Sequence, residues 1–197
     1  MAELTIHLDS IVTFLTELLN VPSPTGYHPE AIAYTRQAFA DLDFPGAEIH
    51  ELPKGALVIQ IPGKRSDAPV GVTAHTDTLG FMVKQIKSNG ALELTNLGGI
   101  NWSGAEFENC TIRTHDDRRY RGTVILSNPS THVNPEASRK PRNADTMEVR
   151  IDARTRSRAE TEALGIGVGD FIFLDPRVEV TDTGFIRSRF LDDKAGV

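Results

Sequence analysis

Residues 70–83, Val70-Gly-Val-Thr-Ala-His75-Thr-Asp77-Thr-Leu-Gly-Phe-Met-Val83, constrain this chain more than any other stretch. A short β-branched run ends at a histidine, and an aspartate follows two residues later. Such a run predicts a buried parallel strand over Val70–Ala74, its last residues surfacing at the carboxyl edge of a sheet. In open α/β sheets that edge is where ligands bind. A spacing of two puts His75 and Asp77 on one side of an extended chain. One can then hold a metal ion while the other orients it, as carboxylates commonly do for metal-bound histidines. The competing reading is a structural histidine at a strand end. By itself the pair does not decide.

The far end of the chain adds Phe190-Leu191-Asp192-Asp193-Lys194-Ala195-Gly196-Val197. Paired aspartates before small residues suit a strand-to-helix corner, where they cap the helix or bind a cation. Composition narrows the field around these two stretches. The 197 residues suffice for one good core or two modest ones. A net charge of −6 and a pI near 5.5 argue against a nucleic-acid partner. No run reaches the roughly 18 apolar residues of a membrane helix. The opening Met-Ala-Glu-Leu-Thr-Ile-His has no basic region followed by an apolar core, so no secretory leader is expected. The single cysteine, Cys110, excludes an intramolecular disulfide and Cys-rich zinc motifs. The expected location is the cytoplasm.

Taken in order, the chain opens with helical spacing over residues 7–20, with Leu8, Ile11, Val12, Leu15, Leu18 and Leu19 on one face. Val21-Pro22-Ser-Pro24-Thr-Gly26 breaks it. A second helix is predicted from Pro29 to Leu42, with Pro29 in its first turn and Glu30 at the positive end of its dipole. Strands follow at residues 47–50 and 56–61. From about residue 84 short alternating strands appear, at 91–95, 110–114, 121–126 and 146–153. In the last, Met147, Val149, Ile151 and Ala153 face one way and Glu148, Arg150 and Asp152 the other, which reads as a half-buried antiparallel strand. Ser157 and Glu160 have capping-box spacing for a short helix ending at Gly165, before a strand at 171–174. His115-Asp-Asp-Arg-Arg-Tyr120 reads as a solvated hairpin tip. The polar, proline-broken loop 128–143 is expected to be mobile. Asn101 and Trp102 belong to a dimer contact or to a barrel core. The organisation is an α/β domain interrupted by a β-rich module: residues 1–83, then 84–176, then 177–197.

Four stretches together resemble the amino-terminal part of the M42 family of metallo-aminopeptidases. Pro22-Ser-Pro-Thr-Gly26 is similar to the family's opening segment. Ala74-His-Thr-Asp-Thr-Leu-Gly-Phe-Met-Val83 is similar to its Ala-His-x-Asp-x-x-Gly-Phe-Met-Val signature. Leu164-Gly-Ile-Gly-Val-Gly-Asp170 resembles the segment before the chain returns to the catalytic domain. Phe190-Leu-Asp-Asp-Lys-Ala-Gly196 resembles the Asp-Asp-Arg-x-Gly motif, with lysine where arginine is usual.

The resemblance implies a zinc-exopeptidase-type α/β catalytic domain, incomplete here, interrupted by a PDZ-like β-barrel that serves dimerisation. It implies a metal-dependent aminopeptidase that removes amino-terminal residues from peptides by two-metal hydrolysis. His75 corresponds to the first metal ligand and Asp77 to the carboxylate that orients it. Asp192 corresponds to the aspartate bridging two divalent ions (Zn²⁺, Co²⁺ or Mn²⁺), and Asp193 follows across what is often a cis peptide. The implied partners are peptide substrates and further copies, as a homodimer or a larger tetrahedral shell, with neither nucleic acid nor membrane. The family's general-base glutamate and remaining ligands follow the Asp-Asp motif, and no Glu-Glu pair occurs in these residues. The expectation is therefore part of a longer enzyme, inactive alone. The alternative is a non-catalytic dimerisation module with vestigial metal motifs. Glycan hydrolysis ranks last, because no separate carboxyl pair marks it.

Overall fold

The computed structural model describes residues 5–65 and 67–197. In chain order the elements are α1 (Leu8–Asn20), α2 (Pro29–Asp41), β1 (Glu48–Glu51), β2 (Leu57–Gln60), β3 (Gly80–Ile86) and β4 (Leu92–Leu97). A 3₁₀ turn at Trp102–Gly104 precedes β5 (Asn109–Arg113), β6 (Arg119–Leu126) and β7 (Met147–Ile151). Then come α3 (Arg158–Ala163), β8 (Phe171–Leu174), β9 (Glu179–Val180), β10 (Ile186–Arg187) and α4 (Leu191–Lys194). The chain divides into two compact units, one of the residues up to Thr78 with Pro176–Val197, the other Leu79–Asp175. No helix among the described residues is long and apolar enough to cross a membrane.

The Leu79–Asp175 unit is a closed six-stranded barrel in the order β3-β4-β7-β6-β5-β8, every neighbouring pair antiparallel. Its strands obey a period of two. Phe81 and Val83, Leu92 and Leu94, Cys110 and Ile112, and Val124 and Leu126 are all buried. Met147, Val149, Ile172 and Leu174 complete the interior. The bulge between Val83 and Gln85 shifts the register once, so that Ile86 returns to the interior. Closure leaves no unpaired edge strand to manage. Trp102 packs on Phe81 with the ring centroids 4.9 Å apart and the planes tilted by 43°, so its indole lies against a core residue.

One position in the barrel cannot carry a side chain. A Cβ at Gly122 would lie 2.8 Å from Val149 Cγ1 and 2.9 Å from the Arg150 carbonyl oxygen. Glu148 departs from the alternation expected of β7. It is buried, and Lys87 Nζ donates to its Oε2 at 2.6 Å. The strand is flanked on both sides, by β4 and β6, and the lysine stem covers the carboxylate that would otherwise face water. The 115–120 tip is a hairpin turn in which Asp116 and Asp117 bond to Arg118 and Arg113. The 128–143 loop has its own turns, and Arg142 clamps Glu106 through two bonds of 2.8 and 3.0 Å. The α3 start follows its sequence signature: Glu160 N donates to Ser157 Oγ, while the Glu160 carboxylate accepts from Arg156 N.

The other unit pairs α1 with α2 and carries two small antiparallel sheets, β1–β2 and β9–β10. Phe14 stacks on Tyr34 at 5.6 Å, and the Tyr34 hydroxyl donates to Glu17 at 2.8 Å. Two expectations are corrected here. Leu18 and Leu19 are buried, but Leu8 and Ile11 are exposed, so the apolar stripe of α1 is covered only towards its carboxyl end. Val70–Ala74 is not in a ladder, and Val70 and Val72 are 89% and 88% exposed. A parallel strand exists through its neighbours, and no described residue pairs with this run or packs over it. Just beyond the run, a parallel bridge joins Pro24 and Thr78. A cavity of about 810 Å³ opens beside the run, lined in part by Phe39, Ile59, Ile61, Val70 and Val72.

Gly122→Ala should cost about 1–3 kcal/mol, because neither Val149 nor the β7 backbone can retreat, and urea unfolding of the barrel measures it. Cys110 offers a second readout. Burial pushes its thiol up to about 12, against the opposing pull of Arg121. Thiol-disulfide exchange with a chromogenic disulfide at pH 8 should therefore run roughly 10²-fold or more slower in the folded protein than in urea.

Candidate functional site

Three elements of the helical unit meet at His75. The extended segment after Val72 carries His75 and Asp77; the Pro22–Gly26 turn lies beside it; the α4 turn brings Asp192. The Pro22–Gly26 turn is bonded along the segment at several points. Thr78 N donates to the Ser23 carbonyl at 2.8 Å, Thr25 N to the Thr78 carbonyl at 3.0 Å, and Ser23 Oγ to the Thr76 carbonyl at 2.6 Å. These bonds fix the backbone on which the histidine and aspartate stand.

His75 Nδ1 lies 3.1 Å from both Asp77 Oδ1 and the Asp77 carbonyl oxygen. Two acceptors at one ring nitrogen place a proton on Nδ1, so that in the neutral ring Nε2 carries the lone pair. Thr25 Oγ1 donates to the other Asp77 oxygen at 2.7 Å, so the orienting carboxylate is itself held. His75 Nε2 faces Asp192 Oδ1 at 3.3 Å. Partial burial pulls the imidazole's pKa down, but the Asp77 carbonyl and the carboxylates of Asp77, Asp192 and Asp193 outweigh it and raise it above the ordinary histidine value. The Asp192 side chain is 95% exposed.

The α4 turn is built around its lysine. Lys194 is buried, and its ammonium donates to the Leu18 and Val21 carbonyls at 2.9 and 2.6 Å. Those carbonyls belong to the last turn of α1 and to its C-cap residue, and that turn has no basic residue of its own. Burial pulls the Lys194 pKa down to about 8. The two carbonyls and the negative end of the helix dipole favour the cation there. Neither aspartate acts as a helix cap: the α4 N-cap is Phe190, at φ +71, and both aspartates have non-helical backbones. The Asp192–Asp193 peptide is cis. Gly196 is required by the same turn, since a Cβ there would meet Asp193 Oδ1 at 2.5 Å.

Chemically, an imidazole nitrogen and a carboxylate oxygen 3.3 Å apart are a fitting pair of donors for one divalent ion. No three His, Cys, Asp or Glu side chains among the described residues form a metal-holding group. Two donors are present where a catalytic ion takes three protein ligands.

Comparison with known proteins fits this arrangement. The family model described as M42 glutamyl aminopeptidase matches residues 55–197, a span that includes His75, Asp77 and Asp192. The chain belongs to the M42 family. It is 43% identical over 183 residues to YhfE of Bacillus subtilis (strain 168), covering 93% of this chain and 52% of that one. Among solved structures it is similar to aminopeptidase APDkam598 from the archaeon Desulfurococcus kamchatkensis, with a TM-score of 0.80 and 21% identity. That match covers 94% of this chain and 49% of the other. The Pyrococcus horikoshii TET1 peptidase, which assembles into a tetrahedron or a large octahedral shell, gives a TM-score of 0.70 at 20% identity, covering 94% and 53%. These two structures establish likeness of fold. The chain spans about half the length of the curated relatives it matches.

Sequence reasoning singled out His75, Asp77 and Asp192, and the structure brings all three together. It missed Thr25 and the role of Lys194. Thr25 reads in sequence only as part of a helix-breaking turn. The lysine reads only as a variant of a motif position, because its partners lie 176 and 173 residues away. Replacing Lys194 by Met in this M42 chain should lower stability by about 1.5–3 kcal/mol, by leaving two buried carbonyls without a charged donor. Urea denaturation would show it, and amide exchange in the last turn of α1 should quicken in parallel.

Proposed function

We propose that this chain forms the amino-terminal part of a metal-dependent aminopeptidase and contributes part of a two-metal site. The observation that carries the reading is the aim of the His75 ring. Asp77 and its carbonyl hold Nδ1, and the free Nε2 faces Asp192 Oδ1 across 3.3 Å. His75 and Asp192 would be metal ligands, Asp192 bridging two ions, and Asp77 the residue that orients the imidazole. Zn²⁺, Co²⁺ or Mn²⁺ each suit this donor set. Bound ions of this kind lower the pKa of a shared water and polarise a peptide carbonyl. The chain's own residues fix a tautomer, hold the orienting carboxylate through Thr25, and anchor the aspartate turn on α1.

In the same reading the helical unit is the first part of a zinc-exopeptidase-type catalytic domain, with boundaries near 1–83 and 177–197. The barrel is its PDZ-like dimerisation domain, near 84–176. Membership of the M42 family supports peptides as substrates, and the assembly of the TET1 peptidase supports a homodimer or a larger tetrahedral shell, in the cytoplasm. The exposed Val70 and Val72 fit a sheet that further chain would complete.

The decisive experiment uses the polypeptide carrying these residues as purified from its native cells. An intact mass above 21.6 kDa, divalent metal removable by chelator, and hydrolysis of aminoacyl anilides are expected. His75→Ala and Asp192→Asn should abolish turnover and lower metal content. Asp77→Asn should weaken metal binding about 10–100-fold. Residues 1–197 alone, with two donors in place, should show no chelator-sensitive turnover. Robust turnover from them with added Zn²⁺ or Co²⁺ overturns the partial-site reading. A native protein of 21.6 kDa without metal or activity would make it a dimerisation module instead.

A further inference from the structure

Of the chain's asparagines, only Asn89 is followed by a glycine. Asn128 and Asn134 precede prolines, which carry no N–H. Each of the others precedes a residue whose side chain crowds the intervening peptide nitrogen. Asn89 and Gly90 lie in the turn between β3 and β4, where Gly90 N donates to the Lys87 carbonyl at 3.0 Å. Lys87 N in turn donates to the Ala91 carbonyl at 2.8 Å. No other residue fits at position 90. Its φ is +87, and a Cβ there would lie 2.9 Å from Thr161 Oγ1 and 3.1 Å from the Ser157 carbonyl oxygen. The fold requires this glycine, and so leaves the Asn89–Gly90 peptide nitrogen without a side chain to shield it.

The Asn89 amide is placed for a reaction with that nitrogen. Asn89 is exposed, and its Oδ1 accepts a bond from Ala91 N at 3.1 Å. The bond closes a ring that contains both Asn89 Cγ and Gly90 N, the two atoms that a cyclic imide joins. Holding nucleophile and electrophile in one ring removes part of the entropic barrier to their meeting. The same N–H polarises the amide carbonyl and stabilises the charge that develops on its oxygen under attack. The restraint on the step is the bond from Gly90 N to Lys87. Hairpin tips are among the parts of a fold that open most readily.

We propose that Asn89 is a self-modification site, at which the folded chain converts asparagine into aspartyl and isoaspartyl residues. Gly90 N gives its proton to hydroxide and attacks Asn89 Cγ, forming the C–N bond of a five-membered imide. The side-chain nitrogen takes a proton from water and leaves as ammonia, which regenerates hydroxide. Water then adds to one imide carbonyl, and the C–N bond at that carbon breaks. Opening at Cγ gives an aspartyl residue. Opening at the main-chain carbonyl carbon gives an isoaspartyl residue, whose chain runs through Cβ and Cγ. Both products carry a new carboxylate, but only the second lengthens the main chain, by one carbon. The turn tolerates that poorly, because its Gly90 carbonyl accepts a bond from the buried Thr161 Oγ1 at 2.9 Å. That bond ties the turn to α3, so the isoaspartyl product loosens α3. Neither metal nor catalytic residue takes part, and the site stands or falls separately from the aminopeptidase reading.

The test incubates the folded protein at pH 8.5 and 37 °C in water enriched in oxygen-18. Tryptic digestion in ordinary water at pH 6 and fragmentation mass spectrometry then locate the label. Peptide 88–113 carries Asn89 together with Asn96, Asn101 and Asn109, so three asparagines serve as internal controls. Oxygen-18 is expected at Asn89 and at none of the other three. Asn89→Gln should remove the labelled product, since its longer side chain cannot close a five-membered ring. Amide exchange across α3 should quicken in the aged protein. It should stay unchanged in Asn89→Asp, which has the new charge without the extra main-chain carbon. Protection of the Cys110 thiol verifies that the barrel stays folded throughout. Three results overturn the proposal: label at Asn89 in 6 M urea but not in the folded protein, another asparagine reacting ahead of Asn89, or α3 amides that exchange alike in fresh and aged protein.

Discussion

The candidate site depends on one buried cation. Lys194 reaches the carboxyl end of α1 and gives its protons to the Leu18 and Val21 carbonyls. A buried ammonium is costly unless it is well bonded. A helix end supplies what is needed: free carbonyls and a negative partial charge. The consequence reaches beyond stability. With Lys194 fixed, the preceding Asp192–Asp193 turn is fixed too, and Asp192 stands opposite His75. A residue that touches neither His75 nor Asp192 thus helps to set where Asp192 stands.

The barrel is held by a different physics. Its strands close on themselves, its interior is filled by period-two apolar residues, and its buried carboxylates are bonded, Glu148 by Lys87 and Asp170 by the Gly167 N–H. Closure frees the outer surface from the need to protect edges.

What could be read from the sequence follows the range of the interactions. Helices α1 and α2, the hairpin strands and most of the barrel were legible because apolar spacing is local. His75 and Asp77 were legible for the same reason, since a spacing of two places them together whatever surrounds them. Val70–Ala74 failed as a strand because a strand in a sheet is defined by neighbours that the run itself does not contain. Glu148 sits at a position that alternation assigns to solvent, and only a lysine from the turn after β3 covers it. Thr25 and Lys194 were out of reach, as their partners are set by tertiary contact.

Chain order also bears on how the site assembles. His75 and Asp192 are separated by the whole barrel sequence, and closing so long a loop from a disordered chain carries a large entropic cost. The barrel shortens that loop. Its first and last strands pair with each other, Phe81 opposite Ile172 and Met82 opposite Phe171, so the folded unit begins and ends within one strand spacing. Replacing a loop of over a hundred residues by one of about two dozen lowers the closure cost by about 1.4 kcal/mol on a logarithmic dependence. Such a gain is comparable to one buried charged hydrogen bond, of the kind that Lys194 makes. An insertion between two halves of a site is therefore no handicap to its formation, provided the inserted piece is a closed barrel whose two ends meet.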